Sequence, residues 1–372
     1  MTRPDLRRLA AWHSWSGVAA SLAAVVLALL VSMAVIAVFG GPPAAAIQSL
    51  WIGAFGSPRQ VAGTLSYVPP LALVAIGWIL VASAGRISVG FDGQILIGGI
   101  FATWVGVSLQ GLAPALHLSL AILLAMLGGA AWAGIAAWLW AVRRVNEIIA
   151  TLLLNFIAFR IVGWLVRGPL QEPTGGFPQS EPLLDSARWP HLIPNTPLAG
   201  DIFLALLLVG LLPLVLRGTG FGYRLRLTGA NDEAARYAGI DTRRITVLAL
   251  VLSGALGGLA GSSLILAGQT GVMTDGFNQN LGFYGIVVAL LARNAPIGVV
   301  PAALLVGALL QGGPFMQAQV GISSALMSFT QGLVVVFVAG SAFLLHRRRS
   351  RAGGAGVGLQ GRTDQPRLAE VP

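Results

Sequence analysis

The sequence predicts an all-α polytopic membrane protein with about ten transmembrane segments, some of them discontinuous, and with both termini in the cytoplasm. Of its 372 residues, 56% are hydrophobic and only 10% are charged, whereas soluble globular domains have about 25% charged residues. Apolar runs of about 20 residues, the length that spans a bilayer, recur along the chain. The 23 basic residues are all Arg, and they concentrate on one side of the predicted membrane.

The composition excludes several functional classes. The chain contains no Lys, so it has neither a P-loop lysine for nucleotide phosphates nor an amine for a Schiff base. It contains no Cys, which excludes disulfides, thiolate metal sites and cysteine nucleophiles. We expect no metal site, no cofactor and no catalytic centre, because the four His are scattered without helical spacing: His13, His117, His191 and His346. The net charge of +10 reflects the positive-inside rule rather than nucleic-acid binding.

The first predicted segments are a cytoplasmic N-terminal stretch and a membrane span. Residues 1–16 carry Arg3, Arg7 and Arg8, and residues 17–39 form a long apolar run. This run is longer than the roughly 7–15 apolar residues of a cleaved signal peptide. We therefore interpret it as the first span of a transmembrane domain that covers residues 17–346.

Nine further apolar runs continue the transmembrane domain. They cover residues 64–84, 87–110, 115–141, 148–166, 201–217, 247–268, 277–292, 297–312 and 322–345. Threading all ten runs from a cytoplasmic N-terminus places 19 of the 23 Arg inside, three outside and Arg160 within a span, as the positive-inside rule requires. Residues 347–372 are polar and Gly-rich, and we expect a disordered cytoplasmic tail there.

The predicted outer loop, residues 167–200, is long and contains seven Pro together with Glu172, Glu181 and Asp185. Long loops are often functional, so we interpret it as a rigid lid or a docking shelf on the outer surface. An ordinary connector explains the same composition, and the sequence leaves both interpretations open.

The predicted cytoplasmic loop, residues 218–246, contains no Pro and includes a polar stretch, TGANDEAARYAGID. Asn231 is a suitable N-cap, and Asp232 and Glu233 favour the positive end of a helix. Gly239 suits the position just past the helix end. We expect about two helical turns whose exposed alanines let another backbone approach closely: Ala234, Ala235 and Ala238. A solvated connector with a capped turn is the alternative.

Two Gly-rich segments carry polar residues where uninterrupted apolar sequence is expected. GRISVGFDGQILIGG contains Asp92 and Gln94, and TDGFNQNLGFYGIVVALLARNAPIG contains Asn278 and Asn280. Backbone that departs from a helix at membrane depth is tolerated only where it is buried in protein or lines a cavity. Both segments are therefore candidate walls of a substrate pathway, and a Gly-rich packing interface is the alternative.

One predicted span, VNEIIATLLLNFIA, carries a polar stripe. Glu147, Thr151 and Asn155 occur at i, i+4 and i+8, so they share one helix face over about 12 Å. A carboxylate and an amide in lipid are costly, and this face should meet the bundle interior. Asn155 is a candidate pathway residue. Glu147 is either a pathway residue or an interfacial residue paired with Arg143 or Arg144.

Arg160 lies on a different face of the same predicted helix. A cation at this depth either extends to the membrane surface or pairs with an acidic residue such as Asp92. The sequence leaves both arrangements open.

Four separated motifs, VNEIIATLLLNFIA, FDGQILIGG, ANDEAARYAGI and FYGIVVALLARNAPIG, carry a family resemblance. Together they resemble the permease subunits of bacterial ABC importers in the branched-chain amino acid, ribose and nucleoside superfamily, and within it the simple-sugar and nucleoside subgroup. The resemblance covers residues from about 60 to 340. Two positions depart from the family pattern, because Asp92 stands where Glu is commoner and Tyr284 stands where Asp is frequent. These departures weaken any transfer of substrate identity.

The resemblance implies a transport subunit of the bacterial inner membrane that is driven by separate ABC ATPase subunits. It also implies an extracytoplasmic solute-binding protein and a second permease, either the same chain or a paralogue. It assigns the ATPase contact to a coupling helix in the cytoplasmic loop: Asn231, Glu233, Ala234, Ala235, Gly239 and Ile240.

The expected function is inward movement of a small hydroxylated solute, a nucleoside or a simple sugar. Neutral polar side chains along the path suit an uncharged solute better than a zwitterion. The predicted pathway residues are Asp92, Gln94, Glu147, Asn155, Asn278 and Asn280. The alternative is an ion-coupled secondary carrier that works alone, which would need charge pairs deep in several spans.

Overall fold

The computed structural model describes residues 26–27, 30–38, 42–173 and 176–321, and the single positions 329, 332, 333 and 337. Residues 30–38 are helical, and the helices from residue 43 onward are numbered α1 to α12. They are α1 (Pro43–Phe55), α2 (Pro58–Ser66), α3 (Val68–Ser83), α4 (Phe91–Ser108), α5 (Pro114–Arg143), α6 (Glu147–Val166), α7 (Asp201–Gly218), α8 (Gly220–Ala230), α9 (Asp232–Tyr237), α10 (Thr242–Leu266), α11 (Leu281–Leu291) and α12 (Val299–Val320). Short 3₁₀ turns occupy Asp185–Ala187 and Pro296–Gly298. The described part of the chain is thus all-helical apart from isolated β-bridges in loops.

Seven helical segments of the described residues are long and apolar enough to cross a membrane. They are Pro58–Ser83, Phe91–Ser108, Pro114–Arg143, Glu147–Val166, Asp201–Gly218, Thr242–Leu266 and Pro296–Val320. The structure therefore supports a multi-pass membrane protein, whereas the count of ten spans and the side of each terminus remain predictions. The predicted runs 17–39 and 322–345 fall largely outside the described residues, as do the segments 1–16 and 347–372.

Two apolar helices are shorter than a full span. The predicted run 277–292 contains a helix only over Leu281–Leu291, because residues 279 and 280 have left-handed backbone conformations that end regular structure before it. The helix Pro43–Phe55 was not predicted from the sequence, because its 13 residues fall below the length of a spanning run. Its Gly53 lies against Gly312 and Phe315 of α12.

Helix α10 lies at the centre of the bundle and packs against α3, α4 and α5. The packing is close because glycines face each other: a Cβ built on Gly258 would overlap the carbonyl oxygen of Ala125 in α5, and a Cβ on Gly98 of α4 would overlap Gly258. On the same helix, Gly254 and Gly258 form a small-xxx-small pattern. Such patterns let helix backbones approach each other in membranes.

The described residues of the 167–200 loop are hydrogen-bonded to the bundle at several points. The Trp189 amide donates to the carbonyl of Leu266 at 2.9 Å, and Arg188 Nη2 donates to the carbonyl of Gly268 at 2.8 Å. On the other side of the loop, the distance between His117 Nδ1 in α5 and Ser186 Oγ is 2.8 Å. The loop therefore forms a rigid cap on the end of α10, and its function as a lid or a docking shelf remains a prediction.

Candidate functional site

A buried polar junction forms where α4 and α11 begin. The Asp92 side chain, in the first turn of α4, is fully buried. Its Oδ1 accepts a hydrogen bond from Asn278 Nδ2 at 2.7 Å and another from the Gly282 amide at 3.2 Å. The carboxylate thus lies at the N-terminal ends of two helices, where the helix dipoles favour a negative charge.

Gly282 permits this close approach of α11 to α4. A Cβ built on Gly282 would overlap the Asp92 amide nitrogen and would lie 2.8 Å from Asp92 Cγ. Any side chain at this position would separate the two helix ends.

The polar stripe of α6 holds the other side of the junction. Asn155 Oδ1 accepts from the Gly93 amide at 2.8 Å, and Asn155 Nδ2 donates to the Val89 carbonyl at 2.9 Å. Thr151 Oγ1 accepts from the Val89 amide at 3.2 Å. Thr151 is 2% exposed and Asn155 is 3% exposed, which confirms that this face meets the bundle interior. The two side chains thus supply hydrogen-bond partners to backbone amide and carbonyl groups that have no partner within a helix.

The junction lies partway along α6, well inside this apolar helix. Helix α6 has 20 residues and is therefore about 30 Å long, and Asn155 lies about 12 Å from its first residue. Because Asn155 bonds to Gly93 and the neighbouring Asp92 bonds to Asn278, the segment around residue 278 lies at a similar depth.

Glu147 pairs with Arg86 rather than with the Arg143 or Arg144 predicted as its partner. The Arg86 Nη1 to Glu147 Oε1 distance is 3.8 Å, and the Arg86 guanidinium lies 4.6 Å from the centre of the Trp140 ring. The loop before α4 brings Arg86 to the start of α6, and this tertiary contact has no local sequence signal.

Arg160 does not form an ion pair with Asp92, one of the two arrangements that the sequence left open. Asp92 accepts a hydrogen bond from Asn278 instead. Arg160 is exposed and lines a cavity of about 360 Å³ beside Trp164, Arg167 and Asp275. Within that cavity Arg167 and Asp275 form an ion pair at 2.7 Å.

The six predicted pathway residues therefore occupy different environments. Four are buried inside the chain: Asp92, Gln94, Asn155 and Asn278. Glu147 is partly exposed in its pair with Arg86, and Asn280 is exposed.

We expect the substitution Asn155→Leu to destabilise the protein. Leu leaves the buried Gly93 amide and Val89 carbonyl without partners, and each unsatisfied group costs about 1–3 kcal/mol. The measurement is the melting temperature of the purified protein in detergent. Gln110→Leu, at an exposed loop position, is the control and should melt like the wild type. An unchanged melting temperature for Asn155→Leu would show that these bonds contribute little.

A second candidate site is α9 in the 218–246 loop. Asn231 caps the helix, because its Oδ1 accepts from the Ala234 amide at 3.0 Å. At the other end Gly239 has φ +79°, its amide donates to the Arg236 carbonyl, and the Ile240 amide donates to the Ala235 carbonyl. These two bonds form a Schellman motif, in which Gly avoids left-handed strain. The predicted helix and both of its caps are confirmed.

The orientation of α9 differs from the prediction. Ala235 is fully buried against the chain, because a six-residue helix that packs on the bundle must turn one side inward. The exposed face instead contains Glu233, Ala234, Ala238 and Tyr237, whose ring is 94% exposed. Sequence reasoning missed Tyr237, although its i+4 relation to Glu233 places both on one face.

Arg236 joins α9 to the start of α10. Its Nη2 donates to Asp232 Oδ2 at 2.7 Å, and its Nε donates to Thr242 Oγ1 at 3.1 Å. The short helix is therefore held by the adjacent span as well as by its own caps.

Comparison with known proteins gives consistent matches. The family model described as "branched-chain amino acid transport system / permease component" matches residues 60–339. The chain is 35% identical over 350 residues to the glucose ABC transporter permease protein TsgB13 of Haloferax volcanii, covering 91% of each chain. It is 32% identical over 327 residues to the guanosine ABC transporter permease protein NupP of Bacillus subtilis, covering 86% of this chain and 92% of the relative. No solved structure matches the chain.

Proposed function

The chain belongs to the family of permease components of branched-chain amino acid transport systems, and from that premise we propose that it moves a nucleoside or a simple sugar inward across the cell membrane. It is an ABC transporter permease, a transport subunit rather than an enzyme, and ATP is hydrolysed by a separate ATPase. We base the solute class on the similarity of most of the chain to permeases that are named for glucose and for guanosine. Both solutes are uncharged and rich in hydroxyl groups.

The α9 helix is the proposed contact with the ATPase subunit. Its exposed face presents Glu233, Ala234 and Tyr237, and its two caps and the Arg236 bonds give it a fixed conformation. A short helix held in this way transmits displacement, whereas a mobile loop would absorb it. The contact also depends on the two helix ends, which are capped by Asn231, Gly239 and Ile240. Ala235 contributes by packing α9 against the rest of the chain.

The polar junction is proposed to shape the solute pathway. Asp92, Asn155 and Asn278 hold this part of the chain through their hydrogen bonds, Gln94 is buried beside them, and Asn280 is left to face the pathway. Glu147 and Arg86 form a charge pair at the first residue of α6. We place this end of the helix at the membrane surface, where a charge pair costs little. A solute-binding protein on the outer side, a second permease and a bacterial inner-membrane location complete the proposed importer, with ten spans and both termini in the cytoplasm.

Reconstitution tests the proposed function. Vesicles that contain the full-length chain, its ABC ATPase and its solute-binding protein should accumulate radiolabelled guanosine or glucose when ATP is supplied on the ATPase side. Vesicles that contain the chain alone should accumulate neither solute under a proton or sodium gradient. Accumulation by the chain alone would instead show an ion-coupled carrier.

A further inference from the structure

Two exposed amide side chains lie at a depth where lipid cannot accommodate them. Gln279 and Asn280 are exposed in the single chain, and they directly follow Asn278, which bonds to Asp92 at the junction. This junction lies about 12 Å along the apolar helix α6. Polar groups and non-helical backbone occur at this depth only where protein or a water-filled cavity covers them. The exposed side of this segment therefore faces a pathway or the second permease rather than lipid.

The break between α2 and α3 lies at a comparable depth. Tyr67 stands between the two helices, nine residues after Pro58, which places it about 13 Å inside the span. Its hydroxyl lies 3.5 Å from Gln279 Oε1, at the long limit of a hydrogen bond. Two interruptions of regular helix thus meet on one exposed surface.

The groups on this surface are available to bind a ligand. The Asn280 side chain makes no hydrogen bond with any part of the chain that the structure describes, and the amide nitrogen of Gln279 makes none either. Phe283, one helical turn after Asn280, is 38% exposed on the same side. The surface therefore combines the Asn280 amide and the free amide nitrogen of Gln279 with two aromatic rings.

We propose that Tyr67, Gln279, Asn280 and Phe283 form one side of the solute-binding site of the permease. The amides donate to and accept from solute hydroxyl groups, and the rings pack against the apolar face of a sugar ring or against a base. This assignment rests on the proposed import function and names the residues that would contact the neutral hydroxylated solute. The buried Asp92, Asn155 and Asn278 already bond within the chain, so they position this surface instead of contacting solute.

Glycine substitutions test the assignment without straining the backbone. Gln279 has φ +45° and Asn280 has φ +58°, so Gly fits both positions and removes only the side chain. Asn195, in the 167–200 loop, has φ +58° and gives a matched control, because its hydrogen bond with Gln269 uses the backbone carbonyl rather than the side chain. The variants are Gln279→Gly, Asn280→Gly and Asn195→Gly in the complete importer.

The expected result is at least about a tenfold fall in ATP-driven uptake for Gln279→Gly and Asn280→Gly, since a site that loses hydrogen bonds to substrate hydroxyls loses discrimination and rate. Competition by 2′-deoxyguanosine or 2-deoxyglucose should also change relative to the parent solute, a readout that a purely structural role would not move. Asn195→Gly should match the wild type. ATPase stimulation by the loaded binding protein should persist in all three variants.

Two failures are distinguishable. If the wild type shows no ATP-driven uptake, the proposed function is wrong. If the wild type transports and both Gly variants keep wild-type uptake and wild-type competition, this surface does not contact solute and the assignment is overturned.

Discussion

Gly258→Leu is expected to prevent accumulation of correctly folded protein. Gly258 lies where α10 crosses α5 and α4, and a Cβ there would overlap the Ala125 carbonyl and lie 3.1 Å from the Gly129 Cα. Backbone atoms cannot move aside as the end of a side chain can. Overpacking of this kind costs about 1–3 kcal/mol for added methylenes that side chains can accommodate, and more where backbones must separate. The measurement is the monodisperse peak height and melting temperature in detergent.

Gly210→Leu is the matched control for this prediction. Gly210 also lies in a span, in α7, but a Cβ built there meets nothing within 4 Å. Its substitution should lower the unfolding free energy by no more than about 0.5 kcal/mol. Equal behaviour of the two variants would show that the glycine contacts of α10 do not determine the packing of the bundle.

Tyr237→Ala is expected to uncouple ATP hydrolysis from transport while leaving the protein folded. The ring is 94% exposed, so its removal costs no packing within the chain. Tyr is one of the residue types enriched among interface hot spots, which contribute about 2 kcal/mol or more, roughly a thirtyfold change in affinity. We therefore expect solute uptake and the stimulation of ATPase activity by the loaded binding protein to fall by at least about tenfold. The measurement is both activities in the same vesicles.

Two companion variants separate contact from folding. Tyr223→Ala removes another exposed tyrosine, in α8, and should keep both activities. Ala235→Leu introduces bulk on the buried side of α9 and should lower the melting temperature as well as the activities. Full activity of Tyr237→Ala would mean that the exposed face of α9 is not the ATPase contact.

Local signals allowed the caps of α9 to be predicted, whereas its orientation required the tertiary structure. Asn231 and Gly239 act through bonds within a few residues, so their roles follow from residue type and spacing. The burial of Ala235 depends on how α9 packs on the neighbouring spans. Helical periodicity shows which residues share a face of α9, but it does not show which face packs against the bundle.

The same division applies to the membrane core. The inward direction of Asn155 follows from the cost of an amide in lipid, but its partners are backbone groups of Gly93 and Val89, which are 62 and 66 residues away along the sequence. Hydropathy also extended the span at residues 277–292 too far, because it does not detect the left-handed residues Gln279 and Asn280. The missed partners of Asn155 and the overextended span both concern backbone that departs from a regular helix, and the proposed solute site includes such backbone.

Helix α10 is one continuous helix that contacts α9 at its first residue and the 167–200 loop at its last. Its first residue, Thr242, bonds to Arg236 of α9, and its last residue, Leu266, accepts a bond from Trp189 of the 167–200 loop. The helix has 25 residues and is about 37 Å long. A rigid tilt or shift of α10 would therefore displace α9 and the 167–200 loop together, which gives these two surfaces a direct mechanical connection.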